Sequence, residues 1–106
     1  MNHKILFDLI DKSYNEDLSN QPKKYKEALL TCAKKIMDGE EELTVCTYLY
    51  KSYHENYMVP MSLPKENRVL YQYIYDKLKK LDQKRLRDLN IGYGMIATQY
   101  TFGSFN

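Results

Sequence analysis

The sequence has few of the residues that would mark a disulfide-bonded or metal-binding protein. Its 106 residues include two cysteines, two histidines and no tryptophan. Two cysteines are too few for a disulfide scaffold, and the separation of Cys32 from Cys46 fits neither a CxxC redox pair nor half of a zinc site. We therefore interpret both as reduced core residues, and we expect no metal and no cofactor.

Long hydrophobic runs are also absent, because charged residues interrupt every apolar stretch before it reaches the roughly 20 residues that a membrane-spanning helix needs. The segment Met1–Asp8 has only three consecutive apolar residues before its aspartate, which is too short for the hydrophobic region of a signal peptide. A chain of 106 residues, 43% of them hydrophobic, can build one core. We expect a single cytoplasmic domain over residues 1–106.

No motif of a familiar catalytic chemistry occurs: the sequence contains no glycine-rich phosphate loop, no HExxH and no nucleophile elbow. His54 lies next to Glu55 and could act as a general base, but we interpret it as a core histidine that donates to a carbonyl. We therefore expect no catalytic residues, no enzyme activity and no small-molecule substrate.

Three consecutive glutamates, Glu40–Glu42, follow Gly39 and raise the question of a metal site. Successive residues of a helix point in different directions, so three adjacent carboxylates cannot converge on one ion. Carboxylates in the first turn of a helix are, however, stabilised by its positive N-terminal end. We interpret the run as the beginning of a helix.

The rest of the pattern is helical, since apolar residues recur every three or four positions in four segments. The predicted helices run from Ile5 to Leu18, from Pro22 to Gly39, from Glu40–Glu42 to Pro60, and from the Ser62–Pro64 cap to Leu81. Gly39 is predicted to end the second helix in a left-handed conformation, and Asp82 to cap a short fifth helix with Leu86 and Leu89.

Four amphipathic helices with short connections pack most simply as an antiparallel up-down-up-down bundle. We predict this all-α fold, with a core over about residues 4–90 and with the third helix as the most enclosed. The periodicity ends after Asn90, and residues 91–106 are predicted to form an irregular aromatic tail.

The net charge of +2 is unevenly distributed. Six basic residues cluster in a segment where Asp82 is the only acidic residue: Lys77, Lys79, Lys80, Lys84, Arg85 and Arg87. This basic segment suits an anionic partner, such as a lipid surface, an acidic protein or a nucleic acid. A solvated helix face is the alternative interpretation.

Tyrosine is unusually abundant, with eleven residues. Those of the third and fourth predicted helices cover more than one helix face: Tyr48, Tyr50, Tyr53, Tyr57, Tyr71, Tyr73 and Tyr75. Some of these rings must lie at the rim of the core, where a tyrosine buries its ring and leaves its hydroxyl in water. They form either a recognition surface or the bulky rim of a small core.

Basic residues interleaved with aromatic ones are also a pattern found in nucleic-acid-binding proteins. No helix-turn-helix spacing, RNP-like strand or zinc finger is present, and the isoelectric point of about 8.4 is below the strongly basic range. We therefore expect no nucleic-acid partner.

Taken together, these features resemble the immunity proteins that protect bacteria from pediocin-like (class IIa) or related unmodified bacteriocins, especially the enterocin A immunity type. The resemblance covers nearly the whole chain. It rests on the chain length, the four antiparallel helices, the tyrosine-rich segment Thr47–Tyr57 before Pro60, and the basic Lys84–Arg87 segment that runs into Ile91–Gly94.

The resemblance implies a cytosolic helical bundle, without enzyme activity, that acts on the sugar phosphotransferase permease when that receptor has bound a bacteriocin. It also implies that the C-terminal half selects the bacteriocin. We accordingly expect the basic segment to face this partner or an anionic membrane, and the tail rings to make selective contacts: Tyr93, Tyr100, Phe102 and Phe105. A helical adaptor that binds an acidic protein or a nucleic acid through the basic segment is the alternative function.

Overall fold

The computed structural model describes residues 4–88, apart from the side chain of Gln83. The helices in this range are α1 (Lys4–Tyr14), α2 (Lys23–Met37), α3 (Glu42–Glu55), α4 (Lys65–Lys79) and α5 (Gln83–Asp88), with a 3₁₀ turn at Pro60–Ser62. No strand is present among the described residues. The all-α fold predicted from the sequence is confirmed.

Contacts at the two ends of the bundle show that the four long helices are antiparallel. At one end, the Ser13 hydroxyl of α1 donates to the carbonyl of Glu66 at the start of α4 (3.2 Å). At the other end, Glu42 at the start of α3 lies 3.6 Å from the ammonium of Lys77 near the end of α4. Each helix contacts the next, and α4 closes the ring against α1.

The core lies between the apolar faces of all four helices. The side chains with no exposed surface include Leu6 of α1, Leu29 of α2, Leu49 of α3 and Leu70 of α4. Half of the residues of α3 are buried, a larger share than in any other helix of the described range. The prediction that the third helix is the most enclosed is therefore confirmed.

Two helices end with the same backbone motif, in which the residue after the C-cap is left-handed and its neighbours bond back to the last turn. Gly39 ends α2 with φ +87°, and its N–H donates to the Ile36 carbonyl (3.0 Å). Tyr57 ends α3 in the same way, with φ +52°, and the next N–H donates to the Tyr53 carbonyl (3.0 Å). The first was predicted from the glycine; the second was not.

Three of the predicted helices are too long, the fourth of them by two residues, since α4 ends at Lys79 and not at Leu81. The first helix ends at Tyr14 instead of Leu18, because Asn15 folds back to donate to the carbonyl of Asp11 (2.9 Å), as a short polar side chain does at a turn. The third ends at Glu55, well before Pro60, so Tyr57 is 91% exposed and does not continue the buried stripe. Met37, the last residue of α2, is also 74% exposed.

Only one of the predicted side-chain caps is present at a helix start in the described residues. Asp82 does cap α5, since its carboxylate accepts the backbone N–H of Arg85 (2.8 Å). No side chain of the preceding residues caps α2 or α4, and the prolines Pro22 and Pro64 occupy the cap positions. The α4 N–H groups instead bond to a carboxylate from another part of the chain, as described below.

Candidate partner-binding surface

The basic segment begins on the last turn of α4 and continues through α5, at the end of the bundle where α3 starts. The Asp82 cap fixes the beginning of α5. The Leu86 side chain, 1% exposed, attaches this short helix to the core. This anchoring leaves the basic side chains of α5 on the outer surface.

Two residues of the basic segment are occupied by contacts within the bundle. The Lys77 ammonium lies 3.6 Å from a carboxylate oxygen of Glu42 and 5.3 Å from the centre of the Tyr73 ring. The Tyr73 hydroxyl also donates to Glu42. Lys79 lies 3.4 Å from an Asp76 oxygen. Lys77 thus joins α4 to α3, whereas Lys79, whose side chain is 40% exposed, is paired within α4 at the surface.

The other four basic residues form an exposed cationic group at this end: Lys80, Lys84, Arg85 and Arg87. Within residues 4–88, none of the four has a carboxylate within 4.0 Å. The nearby Asp82 is engaged in capping α5. Exposed charges of this kind are available to a partner and attract it over distances of about 10 Å at moderate salt.

The four aromatic residues predicted to make selective contacts, Tyr93, Tyr100, Phe102 and Phe105, lie outside the described residues. Leu89, predicted to belong to the fifth helix, also lies outside them.

Most of the described tyrosines belong to the core. Tyr25, Tyr50, Tyr53, Tyr71 and Tyr75 are all at most 8% exposed. Tyr53 meets Tyr71 edge-on, with ring centres 4.9 Å apart, and Tyr71 stacks on Tyr75 at 6.2 Å. Of the two interpretations of the tyrosines, core packing therefore describes these five.

Tyrosines at the rim are covered by lysines. The ammonium groups of Lys26 and Lys35 lie 5.0 Å and 5.1 Å from the ring centres of Tyr14 and Tyr48, a cation–π geometry. Tyr57 has neither a ring contact nor a hydrogen bond from its hydroxyl within residues 4–88. It belongs to an exposed apolar loop that the helical interpretation of the sequence missed.

The side chains considered for chemistry lie in the core or against it. His54 is half-buried, its ring centre lies 4.9 Å from that of Tyr50, and burial lowers its pKa. Cys32 and Cys46 are fully buried free thiols, and burial raises the pKa of each to about 12. A thiol with so high a pKa is almost entirely protonated at neutral pH and is a poor nucleophile.

A polar junction that sequence reasoning missed joins α4 to the chain after α1. The Glu16 carboxylate accepts the N–H groups of Glu66 (2.8 Å) and Asn67 (2.9 Å) and the Asn67 side-chain amide (2.6 Å). Burial raises the pKa of Glu16, but these hydrogen bonds outweigh it and the net pKa is lowered. Asn67, with no exposed surface, also accepts the hydroxyl of Tyr25.

No group of three or more His, Cys, Asp and Glu residues within residues 4–88 is placed to hold a metal ion. In the same range, every helix is too short or too polar to cross a bilayer. A shallow groove between α2 and α3 is lined by charges of both signs, including Lys24, Glu27, Lys51 and Glu55.

One of three comparisons with known proteins supports the resemblance. Searches of curated proteins and of solved structures give no match. The sequence model of a family described as the bacteriocin immunity protein family matches residues 1–79, which is most of the chain and ends with α4. This is a family of immunity proteins and not of enzymes. The chain, a helical bundle with an exposed cationic group just beyond the matched region, is a member of the bacteriocin immunity protein family.

Proposed function

We propose that this protein confers immunity from the cytoplasm by acting on the complex between a bacteriocin and its receptor, and not on the free peptide. The receptor in this proposal is the membrane permease of a sugar phosphotransferase system, contacted on its cytosolic side. Membership of the immunity family supports the general function. The exposed cationic group at the α4–α5 end is the observation that supports binding as the mode of action.

In this proposal, the basic segment brings the protein to the receptor complex and the tail selects the complex. Exposed charges at the rim of an interface raise the association rate and make binding depend on salt, but they discriminate weakly between partners. Each is worth about 1 kcal/mol near an anionic membrane. Aromatic rings, by contrast, supply the specific contacts of binding hot spots, which is the role proposed for Tyr93, Tyr100, Phe102 and Phe105.

Protection of living cells tests the general mechanism. We expect cytoplasmic expression in a sensitive Gram-positive strain to protect it against one bacteriocin of a pediocin-like panel. Purified protein mixed with that bacteriocin should leave its killing activity unchanged. Destruction of the peptide in the tube, or failure to counter any member of a broad panel, would refute the proposal.

Neutralisation of the exposed cations tests the role of the basic segment. The variant Lys80→Gln, Lys84→Gln, Arg85→Gln, Arg87→Gln should fold normally and protect less well. Its matched control neutralises four exposed lysines elsewhere on the bundle: Lys12, Lys23, Lys24 and Lys34. If the two variants lost protection equally, total charge and not this group would be what matters.

Deletion of Tyr100–Asn106 tests the role of the tail. We expect the shortened protein to retain its helical content and melting temperature and to lose protection. A fully folded and fully protective product would rule out a selective role for this segment. A large fall in melting temperature would show instead that the rings stabilise the bundle.

A neighbouring gene offers an independent check. An immunity gene is expected beside one for a short bacteriocin precursor with a double-glycine leader, whereas an adaptor that binds an acidic protein or a nucleic acid has no such requirement.

A further inference from the structure

The connection between α3 and α4 exposes apolar side chains in an unusual concentration. Residues 56–64, here called the apolar loop, contain no charged side chain, although 28% of the chain is charged. Tyr57, Val59 and Met61 are 91%, 58% and 75% exposed. Three of the eight large hydrophobic residues that are exposed within residues 4–88 thus lie within five consecutive positions.

Tyr57 occupies a position where glycine would be more stable. It is left-handed at the end of α3, as Gly39 is at the end of α2. A residue with a side chain incurs a steric cost there of about 1 kcal/mol or more, and glycine does not. Neither a ring contact nor a hydroxyl hydrogen bond within residues 4–88 compensates for this cost. Strain without an internal benefit is typical of a residue that serves binding.

The backbone of the apolar loop has hydrogen-bonding groups left for a partner. The N–H groups of Val59 and Met61 have no acceptor within residues 4–88, and five of the nine carbonyl groups of the loop have no donor there. Removing such a group from water costs about 1–3 kcal/mol unless a new partner replaces the water. A polypeptide supplies both donors and acceptors, whereas the interior of a bilayer supplies neither. We therefore expect the partner of the apolar loop to be a protein.

The charged residues that flank the apolar loop make this surface complementary to itself. Glu55 precedes the loop and Lys65 follows it, and both are exposed. Neither forms an ion pair within residues 4–88. A two-fold axis midway between these residues, perpendicular to the line that joins them, places the Glu55 of each copy opposite the Lys65 of the other. The same surface can therefore serve both sides of one interface.

The size of the exposed apolar group suits a small, reversible interface. Three side chains of these types and exposures present about 300–400 Å². This is at most about half of the roughly 800 Å² that each partner buries in a standard interface. The neighbouring α1–α2 connection, which the Gln21 amide joins to the Ser62 carbonyl, adds no exposed large apolar side chain. The surface therefore fits a partner whose own contact area is equally small, as a second copy supplies.

We propose that two copies of this chain associate reversibly through their apolar loops in a two-fold dimer. The exposed apolar side chains of the two loops pack against one another, and the unpaired backbone groups of each loop bond to those of the other. Ion pairs between Glu55 and Lys65 of different copies fix the relative orientation. The loop leads from the end of α3 into the start of α4, so it lies at the end of the bundle opposite to the basic segment. Both basic segments of the dimer remain available to other partners.

Sedimentation of the purified full-length protein tests the association. We expect the average mass to rise from that of a 12.7 kDa monomer towards twice this value. The rise should occur between about 10 µM and about 1 mM, as for a weak interface. The variant Tyr57→Gln, Val59→Gln, Met61→Gln should dissociate with a constant at least about tenfold higher. A parent that is still monomeric at about 1 mM would overturn the proposal.

A matched control separates the apolar loop from general hydrophobicity. It changes three exposed apolar residues of the helices to glutamine, namely Ile5, Leu30 and Met37, which are 63%, 44% and 74% exposed. Ile5 and Met37 lie at the other end of the bundle, and Leu30 lies in the middle of α2. This control should dimerise as the parent does. Equal losses in the two triple variants would contradict the assignment to the loop.

Exchange of the flanking charges tests the two-fold arrangement. Glu55→Lys and Lys65→Glu each place like charges opposite one another, so each variant alone should dimerise about threefold to tenfold more weakly than the parent. An equimolar mixture of the two should recover the affinity of the parent, because one copy then has two positive flanks and the other has two negative ones. High salt should reduce the difference. A mixture that associates no better than its components would show that the proposed contact is wrong.

Tyr57→Gly guards against a defect in folding, since it relieves the left-handed strain and still removes the ring. We expect it to melt higher than the parent and to dimerise more weakly; dimerisation as strong as that of the parent would contradict the role of the ring. Sedimentation needs no bacteriocin or receptor, so its result is independent of the proposed function. If the parent were monomeric and the folded triple loop variant failed to protect cells, self-association would be refuted in favour of a different protein partner. Binding of a monomeric parent to phosphatidylcholine vesicles would refute it in favour of lipid.

Discussion

The Glu16 carboxylate accepts three hydrogen bonds from α4, so its removal should cost more stability than that of any exposed glutamate. In Glu16→Ala, the first N–H groups of α4 lose their acceptor, as does the amide of the fully buried Asn67. Loss of a helix cap costs about 1 kcal/mol, and a buried polar group left without a partner about 1–3 kcal/mol. Water can reach part of this half-buried site and replace some of the bonds. We therefore expect a loss of about 2 kcal/mol in the free energy of unfolding.

The assay is denaturation by urea and by heat, followed by circular dichroism. For a domain of this size, about 2 kcal/mol corresponds to a fall in melting temperature of about 8–16 °C. Glu55→Ala, at an exposed glutamate with no hydrogen bond or ion pair within residues 4–88, is the matched control and should change stability by less than about 0.5 kcal/mol. If the two variants melted at the same temperature, the reasoning from these hydrogen bonds would be wrong.

The remaining predictions concern pH, the core, the helix ends and the thiols. The pKa of folded Glu16 is below its ordinary value of 4.5. Its contribution to stability is therefore present above pH 4.5 and is lost as the pH falls through the folded pKa. Glu16→Gln should flatten this part of the curve of unfolding free energy against pH. Leu29→Ala and Leu49→Ala each remove a fully buried side chain and should cost about 2–5 kcal/mol, and an unchanged melting temperature in either would show that these faces are not the core. Gly39→Ala should lower the melting temperature and Tyr57→Gly should raise it, each by the equivalent of about 1 kcal/mol, because both residues are left-handed. Cys32 and Cys46 should react with a thiol reagent only on unfolding, and replacement of both by alanine should leave protection intact; loss of protection in a folded double variant would indicate a redox or metal role.

Local patterns in the sequence predicted those features whose cause is local. The three- and four-residue spacing of apolar side chains predicts a helix because it is set by the geometry of the helix itself. Gly39 was predicted to be left-handed because only glycine adopts that conformation without strain. Asp82 was predicted to cap α5 because a cap and the N–H group that it binds are close in sequence.

Features that depend on distant partners could not be predicted in this way. Glu16 lies 50 residues before Glu66, and nothing in the neighbourhood of either residue indicates the contact. Lys77 and Lys80 look equivalent in the sequence, yet Lys77 faces Glu42 across the bundle and Lys80 is exposed. Tyr57 continues the apolar spacing of the third helix, so this spacing gives no indication that its backbone is left-handed.

The family match ends at Lys79, which is also the last residue of α4, and this coincidence bears on how selectivity could arise. The matched region contains the four long helices, their buried tyrosines and the Glu16 junction, all of which maintain the scaffold. The exposed cations Lys80, Lys84, Arg85 and Arg87 come after it, and so do the tail rings. Residues buried in the scaffold cannot contact a bacteriocin or its receptor, so they do not distinguish one bacteriocin from another. Residues that choose between bacteriocins are therefore expected mainly among the exposed positions beyond Lys79, which, unlike the buried Leu86, can change without disturbing the core.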